Sequence, residues 1–161
     1  MNKIVILVSF IFLSLMLHTG CNDDAGVGLT DPFGSGTGTG LSIENLVGSW
    51  TITKWEYVSQ ANSNQRTDFV QHGLSGSFQV QQGGQYQLFV SIGQEQFQES
   101  GTVNIQGNQV VLNASDGETS TWNATFSGNT LSLTLTETVG FDFNNNGVQE
   151  NATLTVELRK Q

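Results

Sequence analysis

Five stretches of the chain alternate apolar and polar positions residue by residue. Leu74, Gly76, Phe78 and Val80 alternate with Ser75, Ser77 and Gln79. Tyr86, Leu88, Val90 and Ile92 alternate with Gln87 and Ser91, with Phe89 set among the polar positions. Trp122, Ala124 and Phe126 alternate with Asn123 and Thr125, and Leu131, Leu133 and Leu135 with Ser132, Thr134 and Thr136. Leu154, Val156 and Leu158 alternate with Thr155 and Glu157. Successive side chains of a strand point to opposite faces, so this period of two predicts strands with one apolar face and one wet face, as in antiparallel sheet. A helical period is not sustained anywhere in this region.

The punctuation between these runs agrees. Gly83-Gly84, Gly93-Gln94, Gly107-Asn108, Asp116-Gly117 and Gly128-Asn129 each separate two runs, and such pairs are what tight hairpins require. The predicted strands are 49–59, 74–82, 85–92, 95–106, 109–114, 118–127, 130–139 and 151–160, eight in all. Consecutive strands joined by tight hairpins make a meander, and closing the meander removes its exposed edges. The expected fold is all-β, an eight-stranded antiparallel up-and-down barrel over residues 41–161. The competing architecture is a two-sheet β-sandwich.

Residues 1–40 read differently. Lys3 precedes an apolar run from Ile4 to Leu17, broken only by Ser9 and Ser14. A positive start, a run of that length and small residues at its end predict a secretory signal over 1–20. The run falls short of the roughly 20 apolar residues that span a bilayer. Residues 21–40 hold the only cysteine, Cys21, and the only proline, Pro32, and finish in a Gly/Ser/Thr tract. A single cysteine excludes a disulfide framework within the chain. The tract cannot bury a core, so it is expected to be a flexible leash, reaching about 24 Å over its 19 residues from Asn22 to Gly40.

The whole chain carries 5 basic and 14 acidic residues. Removal of the leader takes Lys3 with it, leaving 4 − 14 = −10. With no basic patch to neutralise phosphates, nucleic-acid binding is excluded, and direct adhesion to anionic lipid is disfavoured.

Thr19-Gly20-Cys21 resembles the lipobox of bacterial lipoproteins, although His18 stands where that family prefers Leu. The resemblance implies that Cys21 becomes the new N-terminus and carries several acyl chains of the palmitate type, enough to anchor firmly. Asn22-Asp23-Asp24 looks like the export signal of surface lipoproteins in Bacteroidetes-type bacteria. The implied location is the outer membrane, lipid-anchored, facing the periplasm or the cell surface. A second resemblance starts at Leu46-Val47-Gly48-Ser49-Trp50, which follows a segment (Ser42 to Leu46) able to form one helical turn. It is similar to the Gly-X-Trp motif that opens the first strand of lipocalins and related calycins. The resemblance implies that Trp50 closes the barrel bottom, behind Gly48, with a basic residue of the last strand across it. Arg159 is the residue expected in that role. The long first loop, Gln60 to Gly73, also looks like that family.

Chemistry-bearing residues are few. His72 is the only histidine past the leader, in a loop with Asp68, and neither a nucleophile elbow nor a phosphate loop accompanies it. Zinc prefers several His or Cys ligands, which are missing here. Glu95, Glu99, Glu137 and Glu157 could in principle form a hydrolytic pair, but nothing in the sequence pairs them. A non-enzymatic protein is expected. Asp142, Asn144 and Asn146, followed by Gly147, reproduce the first half of a calcium loop, with Glu150 at the ninth position. Thr153 replaces the bidentate carboxylate at the twelfth position, so any calcium would be held weakly, on the order of 10⁻⁴–10⁻³ M. The alternative is an ion-free Asn/Gly turn. The inward aromatics Phe78, Tyr86, Phe97, Trp122 and Phe126 either line a ligand cavity or fill the barrel, since eight strands enclose room for either. The expected partner is a small apolar ligand or an envelope protein. The alternative is a structural lipoprotein with a filled core.

Overall fold

Alternation becomes strand pairing wherever the sequence carries it. The computed structural model describes residues 41–161, which belong to one unit. The apolar leader, Cys21 and the linker lie outside the described residues. A single helical turn, α1 (Ile43–Leu46), precedes β1 (Gly48–Ser59). The remaining elements are β2 (Arg66–Asp68), a 3-10 turn (Phe69–His72), β3 (Leu74–Val80), β4 (Gln85–Ile92), β5 (Glu95–Gln106), β6 (Gln109–Ala114), β7 (Thr119–Ser127), β8 (Thr130–Leu135), β9 (Val139–Phe141) and β10 (Glu150–Lys160).

Strands β1, β3, β4, β5, β6, β7, β8 and β10 pair in that order, all antiparallel, and β10 pairs back onto β1. The barrel is therefore closed by eight strands, and the sandwich alternative is set aside. β2 and β9 are short additions beside β1 and β10 at one end. The expected strand 130–139 ends early, at Leu135, where the apolar alternation stops. The chain turns through Thr136–Thr138 and pairs again with β10 as β9.

Residues directly opposite each other across a pair of strands share a face. The inner face is therefore read from the register: Trp50 opposite Phe78, Val80 opposite Tyr86, Val103 opposite Leu112, Leu131 opposite Leu158. All eight of these side chains are buried. Burying each stabilises by about 1.5–3 kcal/mol relative to exposure, which sets which face turns in. Along β1 the phase changes once. The register with β10 shifts between Ile52 and Lys54, and the extra residue is Thr53. This bulge lets Trp50 and Ile52 face inward before it and Trp55 and Tyr57 after it. Without it, Lys54 and Glu56 would point into the barrel. On the outer face they instead form ion pairs, Lys54 with Glu157 at 3.1 Å and Arg66 with Glu56 at 3.8 Å.

Candidate ligand site

One end of the barrel is shut by its own side chains. Trp50 is fully buried, and its indole Nε1 donates to the Leu46 carbonyl at 2.7 Å, tying β1 to α1. In α1, Asn45 Oδ1 accepts from the Ser42 backbone amide at 2.9 Å and from the Ser42 hydroxyl at 3.0 Å, which fixes the turn. Gly48 has φ of 128°, a conformation L side chains rarely adopt, and a Cβ there would sit 3.1 Å from Lys160 Cε. The glycine of Gly-X-Trp is thus required by backbone shape.

The cation over Trp50 is Lys160, with Nζ 5.2 Å from the ring centroid and 3.5 Å from the Asn45 carbonyl. Arg159, expected there, is exposed on the outer face. Parity explains the correction. Leu154, Val156 and Leu158 face inward, so Lys160 is the next inward position, and it pairs directly with Trp50. Phe126, expected in a cavity, belongs to this end too: it meets Trp50 edge-on at 5.9 Å and is 39% exposed.

Further along, the interior is less filled. Phe78 and Tyr86 are buried together with ring centroids 5.6 Å apart. Beyond them Trp55, Leu88, Phe97, Glu99, Trp122 and Leu135 face inward by register yet are only half-buried. An inward side chain of a closed barrel stays partly exposed only where the interior is not packed up to it. Of the expected lining residues, Phe97 and Trp122 thus border the open part, Phe78 and Tyr86 form its inner wall, and Phe126 lies elsewhere. Trp55 and Glu99 were not foreseen as lining residues. The phase break between Ile52 and Trp55 is the signal for the first. For the second it is Glu99 falling in step with Phe97, Gly101, Val103 and Ile105.

Glu99 sits opposite Leu88, and its Oε1 accepts the Tyr86 hydroxyl at 2.5 Å. Burial, that hydrogen bond and the charges of Glu99 and Asp116 push the Tyr86 phenol well above its ordinary pKa, so it stays a donor. Glu118, in the β6–β7 hairpin, is raised by partial burial and by the charges of Asp116 and Glu99. The Trp122 indole Nε1 donates to Ser120 Oγ at 2.8 Å, which sets the ring's orientation.

The profile of the lipocalin-like domain family matches residues 46–133, more than half of the chain and from α1 into β8. The chain belongs to the lipocalin-like domain family. No curated protein matches it in sequence. A crystal structure of a mutant of the fluorescent protein UnaG is similar over 74% of this chain and 99% of that one, at 15% identity and a TM-score of 0.39.

The far rim of this lipocalin-like barrel is built from the two loops beside β2 and β9. Tyr57 stacks on Phe141 at 4.7 Å, and Phe69 meets both rings edge-on at 5.8 and 5.9 Å. The exposed His72, the only histidine of the domain, meets Phe69 edge-on at 6.4 Å, and Phe143 packs against Phe141 at 4.6 Å. Asp68 Oδ1 accepts from the backbone amides of Trp55 and Val70, both at 3.1 Å, pinning the long loop to β1. Gln65 Nε2 donates to Asn144 Oδ1 at 3.1 Å across the two loops.

The Asp142 loop is closed by its own hydrogen bonds. Asp142 accepts from the amides of Asn146 at 3.1 Å and Gly147 at 2.7 Å, and Asn146 Oδ1 from Val148 at 2.8 Å. Asn144 Nδ2 donates to Glu150. Each of the four candidate calcium ligands thus already accepts an N–H, and among the described residues no cluster of three or more His, Cys, Asp or Glu converges to hold a metal. Partial desolvation raises the Asp142 pKa, but the amides of Gly147, Asn146, Asn144 and Asn145 together lower it below the ordinary value. The folded state therefore favours the carboxylate, and its contribution is complete above the unfolded value of about 3.9. It is lost as pH falls through the lowered folded pKa. The melting-temperature difference between wild type and Asp142→Ala is expected to be constant near neutrality and to shrink in acid. A difference that grows in acid would contradict this role.

Proposed function

We propose that the protein is a lipid-anchored envelope lipoprotein whose barrel binds a small, largely apolar molecule. The observation that carries the binding reading is the row of inward yet half-buried side chains beyond Tyr86, above all Trp55, Phe97 and Trp122. Exposed aromatic surface inside a closed barrel costs free energy unless something covers it, and pockets for small molecules are lined in this way. Domains of this family are generally binding proteins, not enzymes, which favours a carrier or sensor over a catalyst. The anchoring reading rests on the apolar leader and on Thr19-Gly20-Cys21.

A neutral apolar fluorophore, N-phenyl-1-naphthylamine, tests the binding. Wild-type mature protein is expected to take up one probe per chain with a blue shift. Ala124→Trp, which adds bulk on the inner face of β7 two residues from Trp122, is expected to weaken uptake by about tenfold or more. No uptake by the wild type would favour the alternative, a structural lipoprotein with a filled core. Fractionation of the natural host tests the anchor: Cys21→Ser moves the protein from the membrane pellet to the soluble fraction, whereas continued sedimentation of the variant would remove the lipoprotein reading.

A further inference from the structure

The charges that face or flank the open half of the interior are of one sign: Glu99 within it, and Glu118 of the β6–β7 hairpin near enough to feel its charge. Glu99 stands between Phe97 and Gly101 on the inward phase of its own strand, with Leu88 opposite, and Glu95 shares that phase only at the exposed rim. A carboxylate presents about four acceptor sites, and the Tyr86 hydroxyl uses one of them. The positive side chains of the described residues are all placed elsewhere. Lys54 pairs with Glu157 and Glu56 on the outer face, and Arg66 pairs with Glu56. Arg159 points outward, and Lys160 is spent on Trp50 at the shut end.

From this charge placement we infer that the barrel selects an organic cation, a protonated amine on an apolar or aromatic body, over a fatty-acid-like anion. The inference rests on the interior being a ligand site, and it names the ligand's chemistry. An amine in the open half would meet the Glu99 carboxylate at one side and aromatic faces at the other. Trp122 and Trp55 are the best side-chain partners for a cation, and Phe97 lies two residues from Glu99. A carboxylate ligand would instead bring a like charge against Glu99 with no cation to offset it, in surroundings that screen charge less than water does. Net charge acts in the same direction, because an acidic surface raises the local concentration of cations at the mouth of a cleft.

Three ligands of matched shape test it on the mature protein by calorimetry: 4-phenylbutylamine, 4-phenylbutanol and 5-phenylpentanoate. The amine is expected to bind at least about tenfold more tightly than the alcohol, and the carboxylate more weakly than either. Glu99→Gln is expected to bring the amine to within about threefold of the alcohol, both measured on the same variant. Raising salt from about 0.05 to about 0.5 M should weaken the wild type's affinity for the amine and not for the alcohol. That measurement decides the matter even if the variant fails to fold. Binding of the alcohol with no preference for the amine, a preference that survives Glu99→Gln, or an amine affinity indifferent to salt would overturn the inference and leave the binding reading standing. Failure of all three ligands to bind would overturn both.

Discussion

Trp50→Ala is expected to lower stability by about 3–5 kcal/mol, the range for deleting a large buried aromatic. Set against a total of about 5–15 kcal/mol for a domain of this size, that loss is a large fraction. The melting temperature should fall by roughly 10–20 °C. Three losses act together. The indole leaves a cavity where it was fully buried, its Nε1 no longer donates to the Leu46 carbonyl, and Lys160 loses the ring beneath it. The last two weaken the hold on α1, because Lys160 also reaches the Asn45 carbonyl. Trp122→Ala provides the contrast. Trp122 is half-buried at the open part, so its removal should cost clearly less stability while reducing uptake of an apolar probe. Equal destabilisation by the two substitutions, read by thermal melting, would mean that the two tryptophans serve the same packed core.

Those two tryptophans also show what could be read from the sequence. Trp122 lies on a period-two run, whereas Trp50 was legible through Gly-X-Trp; the period gave the inner face of five of the eight barrel strands because an antiparallel strand with one wet side records its orientation in every residue. Hairpins were legible for the same local reason, since each Gly-containing pair falls between two strands. Trp55 was legible as inward only in part: the apolar positions change phase between Ile52 and Trp55, but it is the pairing with β10 that places the extra residue at Thr53. Lys160 could have been read: it follows Leu158 by two. The family layout pointed instead to Arg159, one residue short, and an odd shift on a strand reverses the face. Glu99 was legible only in part. On β5 polar residues occupy both faces, so a single glutamate in step with Phe97 and Val103 carried little contrast. The aromatic rim of Tyr57, Phe69 and Phe141 unites residues from distant parts of the chain, and no local pattern announces it.

Gly101→Ala is the other substitution with a large expected effect, and its cause is geometric. A Cβ at Gly101 would lie 2.0 Å from the Asn113 carbonyl oxygen and 2.8 Å from Ala114 Cα, both backbone atoms of β6. No side-chain rotation relieves such a contact, so one strand must move. The cost is set at the upper end for overpacking, about 3 kcal/mol or more. The position matters beyond the clash. Gly101 pairs with Tyr86 on β4 and with Ala114 on β6, and it is where β5 changes partners. Residues before it, from Glu95 to Ser100, pair with β4, whereas Val103 to Gln106 pair with β6. The close approach of the two backbones at Gly101 therefore holds β5 against β6 just where Glu99 and Phe97 begin to line the open interior. Pushing the strands apart there should disturb the ligand site along with the fold. The expected result is a lower melting temperature together with weaker probe uptake in whatever fraction remains folded. Gly107→Ala, at a hairpin where a Cβ would meet nothing within 4 Å, serves as the control: its backbone strain at φ of 62° should cost only about 1 kcal/mol and leave uptake intact. A Gly101→Ala protein as stable as that control would show that β5 and β6 can separate without cost, and the close approach at Gly101 would lose its place in shaping the site.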